Sequence, residues 1–209
     1  MRIGILADIH ERVEHLRRAL EEFQRRGVDT VVSLGDACDG LLGVNRTNET
    51  VAMLEQVHAQ GVWGNHDFGL CYDVPNDIRQ RYDGNALDFL ATMKGRLAIG
   101  DCHFSHVEPW LDPHDIGQLW YYEGPPDTRE KAHRSFESVP QRFLFIGHFH
   151  HWLVMTQVGR VEWNGEGPVV LADAPRYLVV IGAVLDGHCA VFDTDTCVLV
   201  PVCCGQNSQ

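Results

Sequence analysis

A chain of 209 residues, 44% of them hydrophobic and 22% charged, is long enough to bury the core of one large domain and is unlike disordered or fibrous compositions. Its formal net charge of −12 argues against non-specific nucleic-acid binding and against docking on an anionic membrane, because both depend on clustered Lys and Arg. Asp8 arrives too early for a signal peptide's apolar region, and no run approaches the roughly 20 apolar residues of a membrane span, so the expectation is a cytoplasmic protein.

RIGILA (Arg2 to Ala7) is a short apolar run that stops at Asp8 and predicts a buried strand. Val13, Leu16, Leu20 and Phe23 then recur at spacings of three and four, which predicts a helix ended by Gly27. TVVSLGD (Thr30 to Asp36) reads as a second strand, NETVAMLEQVHA (Asn48 to Ala59) as a second helix, and the Val62-Trp63 pair as the start of a third strand. This alternation implies βαβ units with parallel pairing.

Residues 68–94 read as helical or irregular, and RLAIGDCHFSH (Arg96 to His106) as a pair of strands. From Val107 to Pro140 the chain is rich in Pro, Asp and aromatics and is expected to run over the surface as a partly helical, cap-like excursion. RFLFIGHFH (Arg142 to His150) restores the strand pattern, and four further β-like runs separated by Gly or Asp turns follow it. One domain spanning 1–209 is the expected organisation.

The seven cysteines are scattered and contain no C-x-x-C pair, so neither a zinc ribbon nor a disulfide framework is indicated, and most are expected as reduced packing residues. The twelve histidines are more telling. Several stand beside Asp, Asn and Gly at the end of an apolar strand: Asp8 and His10, Asp36 and Asp39, Asn65 and His66, His106, and His148 and His150. In a mostly parallel sheet such ends share one edge, where ligand sites form. Asp8 and His10, like His148 and His150, are two apart, so in extended backbone both side chains would project to one side. Glycines 35, 64 and 147 immediately precede candidate ligands and permit sharp turns there.

Asp8, His10, Asp36, Asn65, His106, His148 and His150 are nitrogen and oxygen donors without a thiolate. They are too many for one tetrahedral zinc and suit two cations that share a carboxylate. Such a set admits Mn, Fe, Zn or Co, with Mn favoured.

The ordered motifs DIH (8–10), GDACD (35–39), GNHD (64–67), SHVEP (105–109) and GHFH (147–150) resemble those of the calcineurin-like metallophosphoesterases, in particular the small bacterial-type members. The resemblance implies an α/β fold, a four-layer α-β-β-α sandwich with two mixed β-sheets. It implies one metal on Asp8, His10 and His150, a second on Asn65, His106 and His148, and Asp36 bridging both. A hydroxide between the metals would attack phosphorus in line, hydrolysing a phosphomonoester or phosphodiester of a nucleotide, small molecule or phosphoprotein. His66 would protonate the leaving oxygen or stabilise the transition state, Asp39 would orient His66, and Asp67 would brace the turn. A non-catalytic interaction module on the same fold is the alternative, although this chain retains every motif residue.

Two departures bear on substrate. Asp39 is followed by Gly40, where the serine/threonine phosphatase branch continues into a phosphate-binding arginine, and GAVLDG (Gly182 to Gly187) is a shortened late motif without its arginine. The 107–140 segment is the expected replacement, with Trp110, Trp120, Tyr121 and Tyr122 able to stack a nucleobase or aryl group and Arg129 or Arg134 able to pair with phosphate. His103 competes with His106 for the fourth motif, and the proline at 109 favours His106. Cys38 is expected to pack beneath the second motif.

Overall fold

Strand β1 (Arg2–Leu6) is buried from Ile3 onward, and helix α1 (Val13–Arg25) sets Val13, Leu16, Ala19 and Phe23 on one buried stripe. β2 (Thr30–Ser33), α2 (Thr47–Gln56) and β3 (Gln60–Gly61) follow, and β1–β2 and β2–β3 pair in parallel, as the alternation of patterns requires. The structure is a computed structural model that describes residues 1–39 and 46–205; Gly40 lies outside them.

Three short helices come next, α3 (Phe68–Cys71), α4 (Asn76–Arg79) and α5 (Gly84–Leu90). They lead into the antiparallel pair β4 (Leu97–Ile99) and β5 (Cys102–Ser105). Helices α6 (Ile116–Leu119) and α7 (Arg129–Ser138) precede β6 (Phe143–Ile146). The remainder is mainly strand: β7 (Leu153–Thr156), β8 (Gly159–Arg160), β9 (Val169–Val170), β10 (Tyr177–Val180), β11 (His188–Asp193) and β12 (Val198–Cys203).

These strands form two six-stranded mixed sheets, ordered β3-β2-β1-β11-β12-β9 and β4-β5-β6-β10-β7-β8. Ile3, Ile5 and Val32 of the first meet Phe104, Phe145 and Val179 of the second in an inter-sheet core. Leu6 points the other way, into a cluster with Leu16, Phe23, Val51 and Leu54 beneath α1 and α2. Ala132 and Phe136 of α7 cover the outer face of the second sheet at Leu144, Ile146 and Val180. The architecture is therefore the four-layer α-β-β-α sandwich with two mixed sheets. Each buried aromatic or aliphatic side chain in these layers contributes about 1.5–3 kcal/mol. Residues 129–138, read from sequence as part of a surface excursion, supply one of the layers, because Ala132 and Phe136 lie on one face of α7.

All seven cysteines are free thiols. No helix among the described residues is long and apolar enough to cross a membrane.

Parallel pairing of β1 with β2, and of β5 with β6, sends the loops that follow these strands to a common edge of each sheet. Within the second sheet the Gly147 amide donates to the His106 carbonyl at 3.0 Å, and the two edges meet where the His148 amide reaches both Asp8 carboxylate oxygens at 3.0 Å.

Candidate metal centre

The loop after β1 is laddered onto the loop after β2. The Asp8, His10 and Glu11 amides donate to the carbonyls of Gly35, Asp36 and Ala37 at 3.1, 2.9 and 3.2 Å. Along this ladder the backbone is left-handed, with φ of 52° at Asp8, 46° at His10, 58° at Glu11 and 50° at Asp36; His148 and His150 repeat it at 68° and 57°. The extended-backbone argument for the paired residues is thus corrected. β1 and β6 have already ended at Leu6 and Ile146, and a left-handed curl turns each pair into the site. Left-handed backbone in a non-glycine residue costs about 1–2 kcal/mol, which the inter-loop hydrogen bonds offset.

Gly35 and Gly64 make the approach of the loops possible. A Cβ on Gly64 would lie 2.1 Å from Asp36 Oδ1, and one on Gly35, where φ is +93°, would lie 2.6 Å from the Gly64 nitrogen. Asp67 ties the same two loops from beneath. Its buried carboxylate accepts the Cys38 amide at 2.8 Å and the Ala37 and Gly64 amides at 3.2 Å each, the bracing expected of it. Burial, and then the neighbouring Asp36, push the Asp67 carboxyl up to about 6. Cys38 is fully buried and burial drives its thiol far up, so packing accounts for it.

The structure brings the seven candidate ligands together. The donor atoms of Asp8, His10 and His150 lie within 4.8 Å of one another, as do those of Asp8, Asp36 and His106. Asn65 Oδ1 lies 2.9 Å from His106 Nε2 and 3.2 Å from His148 Nδ1, and these two nitrogens are 3.3 Å apart. Asp36 Oδ2 stands 3.3 Å from His106 Nε2 and 3.8 Å from His10 Nε2, facing both groups.

The donor set fits a cation. His106 Nδ1 is 2.8 Å from the Leu34 carbonyl, which places a proton on Nδ1 and turns Nε2 toward the Asn65 and Asp36 oxygens. A nitrogen and two oxygens converging in this way hold a proton or a metal ion between them. Burial opposes charge on His106, but Asp36 overrides it and raises the imidazole's affinity for a proton; the attraction that draws a proton there draws a metal ion equally. Burial, reinforced by His106, pushes His148 down to about 4, so it is a neutral ligand near pH 7. Asp36, although buried, is held ionised by His106 and by the His66 amide, which donates to its Oδ1 at 2.9 Å.

The other sequence-derived residues divide. His66 lies at the centre, its ring 4.9 Å from that of His10 and 5.1 Å from that of Trp120. Asp39 Oδ1 takes the His10 Nδ1 at 3.0 Å, which leaves His10 Nε2 for the site, and the Asp39 carboxylate also lies within 4.8 Å of a His66 ring nitrogen. His103, the rival of His106, is buried in β5.

An open cavity of about 640 Å³ covers the cluster, and Trp120 lines it, whereas Tyr121, Arg129 and Arg134 do not. Arg134 is already engaged: it pairs with Glu123 and lies 4.3 Å over the Trp110 ring, against which Tyr121 also packs. The cations that do line the cavity are Arg12 and Arg46, which sequence reasoning missed. Arg46 is bound to Glu14 and Glu49, while Arg12 is exposed at the start of α1. Its place two residues after His10 was the one available signal. Where the late motif lacks an arginine, the turn at Val184–Asp186 seats on the first loop through Val184 and Leu185 amides donating to Ala7 and Asp8 carbonyls at 2.8 and 3.0 Å.

Comparison with known proteins places these motifs. Residues 1–183 match the model of the calcineurin-like phosphoesterase superfamily domain. An uncharacterized protein of Methanocaldococcus jannaschii is 26% identical over 202 residues, covering 87% of this chain and 75% of its own. The crystal structure of a metallophosphoesterase from Sphaerobacter thermophilus superposes with a TM-score of 0.77 at 22% identity, covering 99% of this chain and 90% of that one. A novel archaeal phosphodiesterase superposes with a TM-score of 0.57 at 16% identity, over 97% and 99% of the two chains. At these identities the solved structures speak to the fold.

Proposed function

The chain belongs to the calcineurin-like phosphoesterase superfamily, and from that premise we propose that it is a single-domain hydrolase of phosphomonoesters or phosphodiesters with two divalent metal ions. The observation that carries this reading is the position of Asp36 Oδ2, within 3.3 Å of His106 Nε2 and 3.8 Å of His10 Nε2, as a carboxylate shared by two donor groups.

Asp8, His10 and His150 would hold one ion and Asn65, His106 and His148 the other. When bound, such a pair acidifies water and clamps the phosphoryl oxygens. The protein's own part follows from its geometry. Asp39 and the Leu34 carbonyl fix the tautomers of His10 and His106, and Asp36 presents one oxygen to the site while its other holds the His66 backbone. Hydrolysis forms a bond from a water oxygen to phosphorus, breaks the bond to the leaving oxygen, and delivers a proton there. His66 is the nearest imidazole outside the donor groups assigned to the two ions, and we assign it that delivery. Two divalent cations together with Arg12 and Arg46 would outweigh the five carboxylates at the cavity, those of Asp8, Glu11, Glu14, Asp36 and Asp39, which favours an anionic ester within an acidic protein.

The test is hydrolysis of p-nitrophenyl phosphate and bis(p-nitrophenyl) phosphate after chelation and reconstitution, with Mn²⁺ first and Fe²⁺, Zn²⁺ and Co²⁺ beside it. Metal-dependent turnover is expected. Two bound equivalents without turnover on either ester would overturn the enzymatic reading.

A further inference from the structure

The segment from Val107 to Pro126 carries four bulky aromatics with two different fates. Trp110 and Tyr121 pack on one another at 5.8 Å, Arg134 lies over Trp110, and the Tyr121 hydroxyl donates to Glu123 at 2.8 Å, so this pair is consumed by the segment itself. Trp120 and Tyr122 are 54% and 64% exposed, and both stand beside the centre. The Trp120 ring tilts against His66 at 5.1 Å, and the Tyr122 ring is 6.1 Å from His148 and 5.8 Å from Phe149.

Their backbone is braced. Gln118 accepts from the Asp112 amide at 2.9 Å and donates to Asp115 at 3.0 Å, and Lys131 Nζ donates to the Glu123 and Pro125 carbonyls at 2.7 and 3.3 Å. Trp120 lines the cavity and Tyr122 stands beside His148, and on their fixed turn the two rings form a preorganised apolar wall that stays exposed among the described residues. Every aromatic ring of a ligand offers a π-face to such a wall.

Resting on the assignment of His66 to the leaving oxygen, we propose that Trp120, with Tyr122 beside it, is the stacking wall for the leaving group, so that the substrate is a phosphoester of an alcohol bearing a planar aromatic ring. The ring reaches the wall either directly, as an aryl ester, or through a sugar, as a nucleobase.

The test uses the metal-loaded protein and three esters, phenyl phosphate, adenosine 5′-monophosphate and ribose 5-phosphate, with their methyl diesters if diesters are preferred. Wild type should favour at least one aromatic ester over the ribose ester by roughly 10- to 100-fold in kcat/KM, the size of one stacking interaction. Trp120→Ala should erase that preference, Trp120→Phe should keep most of it, and Trp120→Leu serves if the alanine variant misfolds. Preference for phenyl phosphate assigns the aryl source, and preference for the adenosine ester the nucleobase. Equal kcat/KM for all three, or a preference unchanged in Trp120→Ala, overturns the proposal while leaving the hydrolase reading intact. If no ester is hydrolysed, tryptophan fluorescence still decides: quenching by adenosine or phenol but not ribose, lost in Trp120→Ala, supports the wall, and no quenching by either overturns it.

Discussion

Asp67 accepts the Cys38 amide at 2.8 Å across a sequence separation of 29 residues, and through this bond the GNHD loop is fastened under the GDACD loop. The same carboxylate takes the Ala37 and Gly64 amides, so its removal leaves three buried donors without an acceptor. Asp67→Ala should destabilise the protein by about 3 kcal/mol, since each orphaned buried donor costs about 1–3 kcal/mol and part is recovered by removing a buried acid. Asp67→Asn, which keeps one acceptor oxygen, should lose less. Urea unfolding of the metal-free proteins measures both.

Asp36 and His66 should separate metal binding from chemistry. Asp36→Asn removes the carboxylate shared by the two donor groups, and metal analysis should find fewer than two bound equivalents together with lost turnover. His66→Ala keeps the backbone amide that donates to Asp36 Oδ1, so it should retain both equivalents and lose roughly 10²- to 10⁴-fold in kcat.

Because Asp39 is hydrogen-bonded to His10, its variant should look like a metal-binding defect. Asp39→Ala is expected to weaken metal affinity by about 10- to 100-fold, with activity recovering as metal is raised. Loss of kcat at saturating metal with unchanged affinity would return Asp39 to the role of orienting His66.

Arg12 lines the cavity, and a phosphate ester bound there would meet its guanidinium. Arg12→Ala should raise KM by about tenfold or more with kcat nearly unchanged, the value of one charge-assisted hydrogen bond. Arg134→Ala, which acts at Trp110 and Glu123, should leave KM close to that of wild type.

His103 gives a pH prediction independent of the metals. Burial, with Arg96 adding to it, pushes its imidazole down to about 4, and its Nε2 is buried without a partner. In the unfolded chain histidine titrates near 6.5. Between these values the unfolded state takes up a proton that the folded state refuses, so stability falls as pH drops from about 6.5 to about 4. The loss reaches up to about 3 kcal/mol, at about 1.4 kcal/mol per pKa unit. His103→Leu should remove this component, seen as a smaller difference between urea midpoints at pH 7 and pH 4.5; an unchanged difference would reject it.

Much of this protein is written locally. The stripe of Val13, Leu16 and Phe23, the apolar runs of β1, β2, β5 and β6, and the polar residues after each run are short-range signals, and they sufficed to name seven ligand candidates. That four follow strands of one sheet and three follow strands of the other, rather than sharing one edge, is decided by the packing of the two sheets. What tertiary structure decided depends on partners far apart in the chain. The left-handed curl of Asp8 and His10 exists because their amides meet Gly35 and Asp36, and no spacing within DIH records that. Asp39 bonds His10, Arg134 is captured by Glu123, and Arg12 and Arg46 reach the cavity, because side-chain pairing follows proximity in space. Of four aromatics alike in sequence, packing spends Trp110 and Tyr121 within their own segment and leaves Trp120 and Tyr122 facing the centre. Residue type and order determined which chemistry the chain can perform; the geometry of contacts between distant loops determined which side chains perform it.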